Sequence, residues 1–370
     1  MDNIILLFGG DSCERDISII TAVQLYENID KTRYNIYPIY MYNSHMYYVK
    51  NMNIDEFISY KPRRVNRVVL ENGILKMYTK LGMYKSIKID SAILATHGGI
   101  GENGAIQGML ESLDISYTSS SMMASSLLMD KASTKIVLKG LDIPHVDYRV
   151  VHAGESIDYV DIVNSLALPL IVKPARQGSS IGIGYVSELD SLKDAIELAF
   201  YYDNKVVIEH ALENFCEYNV AVYRRKGKTI VSEIERPIQK NNDILKFDDK
   251  YMSSGKMNGG YREFPANIDD ATRLAIEGYA ESVYNELDMK GVARFDFLME
   301  NDELYLNEVN TIPGSMAYYL FENKGITYKK LIDDIIDESV RDRENNSRLI
   351  KSYNSSVLKT AKYAVNKLRK

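Results

Sequence analysis

The stretch RFDFLMENDELYLNEVNTIPGS, residues 294–315, alternates apolar and polar side chains around an acidic turn and sets Arg294, Asp296, Glu308 and Asn310 inside that alternation. A turn centred on Asp302 pairs Asp296 with Glu308 and Arg294 with Asn310, and the period of two then places all four on one face. Leu298, Leu304 and Leu306 are expected on that same face, with Phe295, Phe297, Tyr305 and Val309 on the other. Neither face reads as plainly solvated, so the charge should converge at the open end of a covered hairpin. Two carboxylates and an amide oxygen there form a hard, oxygen-only set that suits magnesium bridging nucleotide phosphates. The plain alternative is an Arg294–Asp296 salt bridge on a half-exposed sheet.

Upstream, NIILLFGG (3–10) reads as a buried strand entering a tight turn, and CERDISIITAVQLYENI (13–29) as a helix with Ile17, Ile20, Val23 and Leu25 among its apolar positions. YNIYPIYMY (34–42) and SAILATHGG (91–99) add further strands. Strand, glycine-rich turn and helix in alternation predict a parallel sheet with ligands at the carboxyl ends of its strands. A second unit begins near Pro144, with strands in LPLIVKPAR, SSIGIGYV and KVVIEHAL and a helix in SELDSLKDAIELAFYY, capped by Ser187. EYNVAVYRRKGKTIVSEIE predicts a hairpin turning at RKGK, followed by a helix from about 269 to 286. Between them, residues 237–267 are rich in Asn, Asp, Gly and Ser, the composition of a functional lid or a disordered loop.

Three more clusters carry chemistry. In VKPARQGSSIGIG (172–184), Lys173 ends a buried strand and small residues follow, so backbone N–H groups can approach phosphate oxygens while lysine adds a point charge. The lysine precedes the glycines, so this is not a Walker loop. In VVIEHALENFCEYNVAV (206–222), Glu209 suits an adenine amino group, backbone at Ala211 and Leu212 a base edge, and Glu217 ribose hydroxyls; ordinary surface glutamates are the alternative. FGGDSCERDIS (8–18) and ATHGGIGENGAIQG (95–108) set Glu14, Arg15 and His97 just after glycine turns, where a lone histidine is more often structural than catalytic.

Composition narrows the partners. The 370 residues are 45% hydrophobic and 26% charged, an ordinary globular balance with room for two or three domains. A net charge of -6 argues against nucleic acid, which needs a basic face. The opening apolar run ends at Gly9, too short for an export signal or a membrane span, and Cys13 and Cys216 match no zinc or redox spacing. A reducing cytoplasm is therefore expected. The tail KSYNSSVLKTAKYAVNKLRK is basic and helically patterned, and is read as a surface helix docked on its own domain.

Taken in order, FGGDSCERDIS, THGGIGENGAIQGMLE, MDKASTK, VKPARQGSSIGI, ARFDF and NEVNTIPG resemble the D-alanine:D-alanine ligase family of the ATP-grasp superfamily over nearly the whole chain. The resemblance implies an α/β fold of three parts: an N-terminal Rossmann-like domain (1–124), a central lid domain (125–208) and a C-terminal ATP-grasp domain (209–370). It implies a cytoplasmic homodimer that uses ATP and two magnesium ions to join D-alanine to D-alanine, or to D-serine, through an acyl phosphate for cell-wall synthesis. Residue by residue, Lys131, Lys173, Ser180 and Lys250 would meet the phosphates; Glu209, Ala211, Leu212 and Glu217 the nucleoside; and Asp296, Glu308 and Asn310 the metal. Glu14, with His97 nearby, would hold the first ammonium, and Ser179 and Tyr251 would join Glu14 in a network that locks the lid. Arg294 and the Gly314 N–H would form the oxyanion hole, and Tyr319 and Leu320 would meet the second carboxylate. The chain departs from the family's usual YDY at LKFDDKY and from its Ser-Leu at Tyr319-Leu320, both of which resemble the vancomycin-resistance D-alanine:D-serine ligases.

Overall fold

In the computed structural model, which describes residues 1–78, 84–238, 262–350 and positions 355, 357, 358 and 361, the unbroken apolar run Ile4–Phe8 is buried on both faces. That is the pattern of a central parallel strand. It forms β1 (Asp2–Gly9), flanked in parallel by β2 (Tyr34–Tyr42) and, on its other edge, by β7 (Ser91–Leu94). Helix α1 (Arg15–Asn28) follows β1 and packs on it. The all-parallel expectation holds only for these three strands. The sheet continues as an antiparallel meander, β3 (His45–Tyr48), β4 (Arg67–Glu71), β5 (Ile74–Tyr78) and β6 (Tyr84–Lys88), in the order β6-β5-β4-β3-β2-β1-β7. A short helix α2 (Ile54–Phe57) lies within the meander, and α3 (Ala105–Ser112) follows β7.

The stretch 119–141 is two helices, α4 (Met122–Met129) and α5 (Lys131–Gly140), because Ser121 and Asp130 each cap a new N-terminus by accepting a backbone N–H. Strands β8 (Tyr148–His152), β9 (Leu170–Pro174), β10 (Gly184–Val186) and β11 (Lys205–His210) form a separate antiparallel sheet in the order β10-β9-β11-β8. Helices α6 (Tyr159–Leu166) and α7 (Leu189–Phe200) cover it; α7 starts after Glu188 without a side-chain cap, so Ser187 is not the cap expected. The expected boundary at 208/209 falls inside β11, whose His210 still pairs with Leu170.

The third sheet has the order β13-β12-β16-β17 and comprises β12 (Cys216–Arg225), β13 (Lys228–Val231), β16 (Ala293–Glu300) and β17 (Glu303–Asn310). A two-strand ribbon, β14 (Arg236–Pro237) with β15 (Arg262–Glu263), leads from it to α8 (Asp270–Glu286), which Asp269 caps and which matches the helix expected from about 269 to 286. Helix α9 (Tyr328–Ser347) returns to share a core with the first sheet. Most of the 237–267 loop and most of the basic tail, with Lys250 and Tyr251, lie outside the described residues.

The hairpin β16–β17 reaches the expected pairing by an unexpected route. Its turn is Asn301–Asp302, both left-handed (φ 48° and 64°), the signature of a two-residue primed turn. That turn alone would offset every pair by one residue. A bulge between Asp296 and Phe297 inserts the missing residue, so Arg294 opposes Asn310 and Asp296 opposes Glu308 at the open end. Between turn and bulge the β17 residues change face: Leu306 opposes Phe297 and is buried with Phe295 and Val309, while Tyr305 opposes Leu298 on the side of the charges.

Candidate active site

At the open end of that hairpin Arg294 grips Asp296 with both arms of its fork, Nε to Oδ1 at 2.7 Å and an Nη to Oδ2 at 2.8 Å. Asn310 donates to Asp296 Oδ2 at 2.9 Å, and Glu308 Oε1 stands 3.6 Å from Lys131 Nζ. Burial works against the Arg294 charge, but Asp296 outweighs it and holds the guanidinium firmly protonated. The salt bridge and the acidic cluster offered as alternatives by the sequence are thus the same object. Asn219 of β12 lies directly across from Asp296, and turning its amide sets its nitrogen 3.1 Å from Asp296 Oδ1 and 3.2 Å from Glu217 Oε1. Two carboxylates and an amide with a lysine alongside fit a magnesium-bound phosphate, hard oxygen donors meeting a hard cation.

A second cluster lies at the β10-β9-β11-β8 sheet. Glu209 is buried between two ammonium groups, Lys173 Nζ at 2.7 Å and Lys135 Nζ at 3.1 Å. Burial pushes the Glu209 carboxyl up, but Lys135 and then Lys173 outweigh it and hold it at about 2. Lys135 itself is shifted down, because desolvation there exceeds what Glu209 returns. The triad therefore carries one net positive charge beside the Gly/Ser turn. The Glu209 carboxylate, which the sequence suggests as an acceptor for adenine, faces these two lysines in the structure. The Ala211 N–H is likewise engaged, donating to Pro169 at 2.9 Å, while Leu212 is only half-buried. Lys131 Nζ donates to the Gln177 carbonyl at 2.5 Å, anchoring the turn. In that turn Ser179 and Ser180 are both left-handed, at φ 51° and 58°.

The turn reaches across to the N-terminal domain: the Ser179 hydroxyl donates to Glu14 Oε1. Glycines make this approach possible, because a Cβ at Gly178 would stand 2.8 Å from Glu14 Oε2 and one at Gly98 2.7 Å from it. Glu14, Ser179 and Gly98 are thus drawn together.

His97, next to the Gly98 that packs on Glu14, has a ring held by a hydroxyl and by backbone. Its Nε2 lies 3.0 Å from Thr21 Oγ1, and the ring also hydrogen-bonds the backbone of Ile312. Thr21 Oγ1 also accepts the Ser315 N–H at 3.2 Å, and its two lone pairs allow either direction for the bond to Nε2, which the imidazole tautomer sets. Burial, then Arg294, depresses the imidazole to about 4, so it is neutral at pH 7. Because the unfolded chain takes this proton first, near pH 6.5, stability is intact above that value and declines until about pH 4. We expect wild type to lose about 2 kcal/mol between pH 7 and 5 from this residue. His97→Gln should remove that slope in urea titrations; an unchanged slope would show that the imidazole is not the buried neutral group.

Downstream, Gly314 opens a short helical turn in which Ser315, Met316 and Ala317 are all left-handed. Tyr319 lies one residue before its end, donating its hydroxyl to Glu235 Oε1 at 2.5 Å, with the Arg262 guanidinium 4.6 Å from its ring centre and 3.6 Å from Glu235 Oε2. Burial and then Glu235 raise the phenol far above its ordinary range, so it acts as a donor. Leu320 is wholly buried and its carbonyl accepts the Glu233 N–H at 3.1 Å.

Lys135, Glu102, Asn219 and Glu235 are the residues sequence reasoning passed over. Lys135 had a signal: it lies one helical turn after Lys131 in MDKASTK, and so on the same face. Glu102 sits in the quoted GENG, but nothing in its spacing announces that it folds back onto the Gly98 turn. Asn219 and Glu235 are brought in by strand register alone.

Comparison with known proteins follows this geometry. The D-ala D-ala ligase N-terminus family matches residues 3–120, and the D-ala D-ala ligase C-terminus family residues 137–337. The chain is 38% identical over 360 residues to a D-alanine–D-alanine ligase of Thermosipho africanus, covering 93% of this chain and 96% of that one. It is 31% identical to one from Streptococcus agalactiae, covering 90% and 95%. A solved D-alanine-D-alanine ligase from Helicobacter pylori superimposes with a TM-score of 0.74 at 30% identity over 90% of this chain and 98% of that one. The VanG D-Ala:D-Ser ligase of Enterococcus faecalis does so with 0.76 at 26%, over 91% and 99%.

Proposed function

The chain belongs to the D-alanine:D-alanine ligase family, and we propose that the residues assembled above divide that family's work, the ATP-dependent joining of two D-alanines for peptidoglycan. The observation that carries the reading is convergence: Glu14 with Ser179, the lysine-rich turn, and the Arg294–Asp296–Glu308–Asn310 set come from three separate sheets. A carboxylate is a poor electrophile, so the first D-alanine is activated as its acyl phosphate. Glu14 holds the ammonium of that molecule, and Lys131 and Lys173 neutralise the phosphoryl group as it transfers. Asp296, Glu308 and Asn310 would hold magnesium, which supplies charge neutralisation at the phosphates. By analogy with the family we take the ions to be two, the assembly a homodimer and the compartment the cytoplasm.

The amine of the second D-amino acid then attacks the acyl carbon. Arg294 and the Gly314 N–H stabilise the tetrahedral oxyanion, fixed donors being worth most where charge develops. Water must be kept from the acyl phosphate meanwhile. Residues 237–267, with Tyr251 and Lys250, are the segment we assign to that closure. No helix among the described residues is long and apolar enough to cross a membrane.

Tyr319 motivates a second reading for the acceptor. Where the family carries serine, this chain has a phenol committed to Glu235, and D-serine is the competing second substrate. Phosphate release with D-alanine alone, and with D-alanine plus D-serine, decides between them. Release with D-alanine alone, accompanied by dipeptide, is expected. Release only in the mixture would replace D-alanine by D-serine as acceptor, and no release in either would overturn the ligase assignment.

A further inference from the structure

The turn after β7 contributes a carboxylate that the mechanism above does not use. Glu102 Oε2 accepts the Gly98 N–H at 3.0 Å, and its Oε1 lies 3.4 Å from the Ile312 N–H. Gly98 is the residue packed on Glu14, and Ile312 stands two residues before Gly314. The two oxygens of one side chain therefore join the turn that backs the first substrate's ammonium partner to the turn that carries the oxyanion donor. His97 also hydrogen-bonds the Ile312 backbone, so this one residue is held by two side chains of the turn after β7. Its neighbour Ser315 is held by Thr21 and by Gln24.

The placement is costly for packing alone. Burial, then Glu14, push the Glu102 carboxyl up to about 8, with Glu308 adding to the rise, and a desolvated carboxyl set among its own kind is a poor way to fasten two loops. A bidentate acceptor with a fixed bite does one thing an apolar contact does not: it sets the distance between two backbone N–H groups. In this chain that distance is the one between donor-substrate anchor and oxyanion hole. Small errors in such distances cost large factors in rate.

We propose that Glu102 is a positioning residue that spaces the first-substrate turn from the oxyanion turn, and so commits the acyl phosphate to the incoming amine. The inference rests on the roles assigned above to Glu14 and Gly314. If the spacing loosens, the oxyanion donors no longer meet the carbonyl, the amine attacks slowly, and water competes. Attack of water on the acyl carbon breaks its bond to the phosphate oxygen, releasing phosphate and returning free D-alanine. ADP then accumulates without dipeptide.

The readout is therefore the ratio of ADP to dipeptide, measured on the full chain with saturating D-alanine and Mg·ATP. Wild type should give a ratio near one. Glu102→Ala should raise it by about twofold or more while its melting temperature stays near that of wild type; Glu102→Gln, which keeps one carbonyl acceptor and the shape, should fall between. A ratio of one in both variants, whatever their rates, overturns the proposal and leaves Glu102 a structural contact. If the alanine variant does not fold, the glutamine variant alone decides by the same ratio. Wild type that forms no dipeptide would instead remove the ligase reading itself, so the two failures are told apart.

Discussion

Asp296→Ala should lower kcat by roughly 10²- to 10³-fold or more, the scale set by removing a fixed charge-stabilising group from a transition state. Two effects combine. A carboxylate is lost from the oxygen set formed with Glu308 and Asn310, and Arg294 loses both hydrogen bonds that aim its guanidinium. The second effect separates this residue from an ordinary metal ligand. Raising magnesium should recover part of the activity of Asp296→Asn, whose amide keeps one oxygen and the shape, but little of the alanine variant, in which Arg294 is also unaimed. Steady-state turnover across a magnesium series, with circular dichroism to check folding, makes the measurement. Near-normal turnover in Asp296→Ala would refute both the metal assignment and the aiming of Arg294.

The hairpin that holds this set shows how much the sequence discloses. Alternation put Arg294, Asp296, Glu308 and Asn310 on one face, and that holds at the open end. The reason is not visible in the sequence: a two-residue turn and a bulge each shift the register by one, and the shifts cancel only beyond Asp296. Leu306, between them, is therefore on the face opposite to the one expected. The buried run Ile4–Phe8 was legible because a fully covered parallel strand needs continuous apolar residues. The meander β3–β6 was not, because its strands are short and half-exposed, and alternate too briefly to stand out from loops. The same limit governs the site. Residues beside a glycine turn or a strand end, such as Glu14 and Lys173, announce themselves locally. Glu102 gains its Ile312 partner, and Glu235 its Tyr319 and Arg262 partners, only when segments distant in the sequence meet.

Glu209 offers the sharpest test of that long-range assembly, because stability rather than turnover reports it. Its carboxylate serves two buried lysines, at 2.7 Å and 3.1 Å, so Glu209→Gln leaves two cations without a counter-charge. Breaking a buried pair in this way costs about 3–5 kcal/mol. Lys135→Met should be far milder, since it leaves Glu209 and Lys173 as one neutral pair and fills the space with an apolar chain of similar length. The ordering, not the absolute values, is the test: urea unfolding at pH 7 should place Glu209→Gln well below Lys135→Met. The pH dependence follows from the same charge balance. The folded carboxyl titrates at about 2, below its ordinary value of 4.5, so its contribution is complete above the ordinary value and is lost as pH falls through about 2. Glu209→Gln should lack that acid-limb loss. Equal stability of the two variants at pH 7 would mean that the triad is not a charge balance, and that Lys173 is held beside the phosphate turn by packing alone.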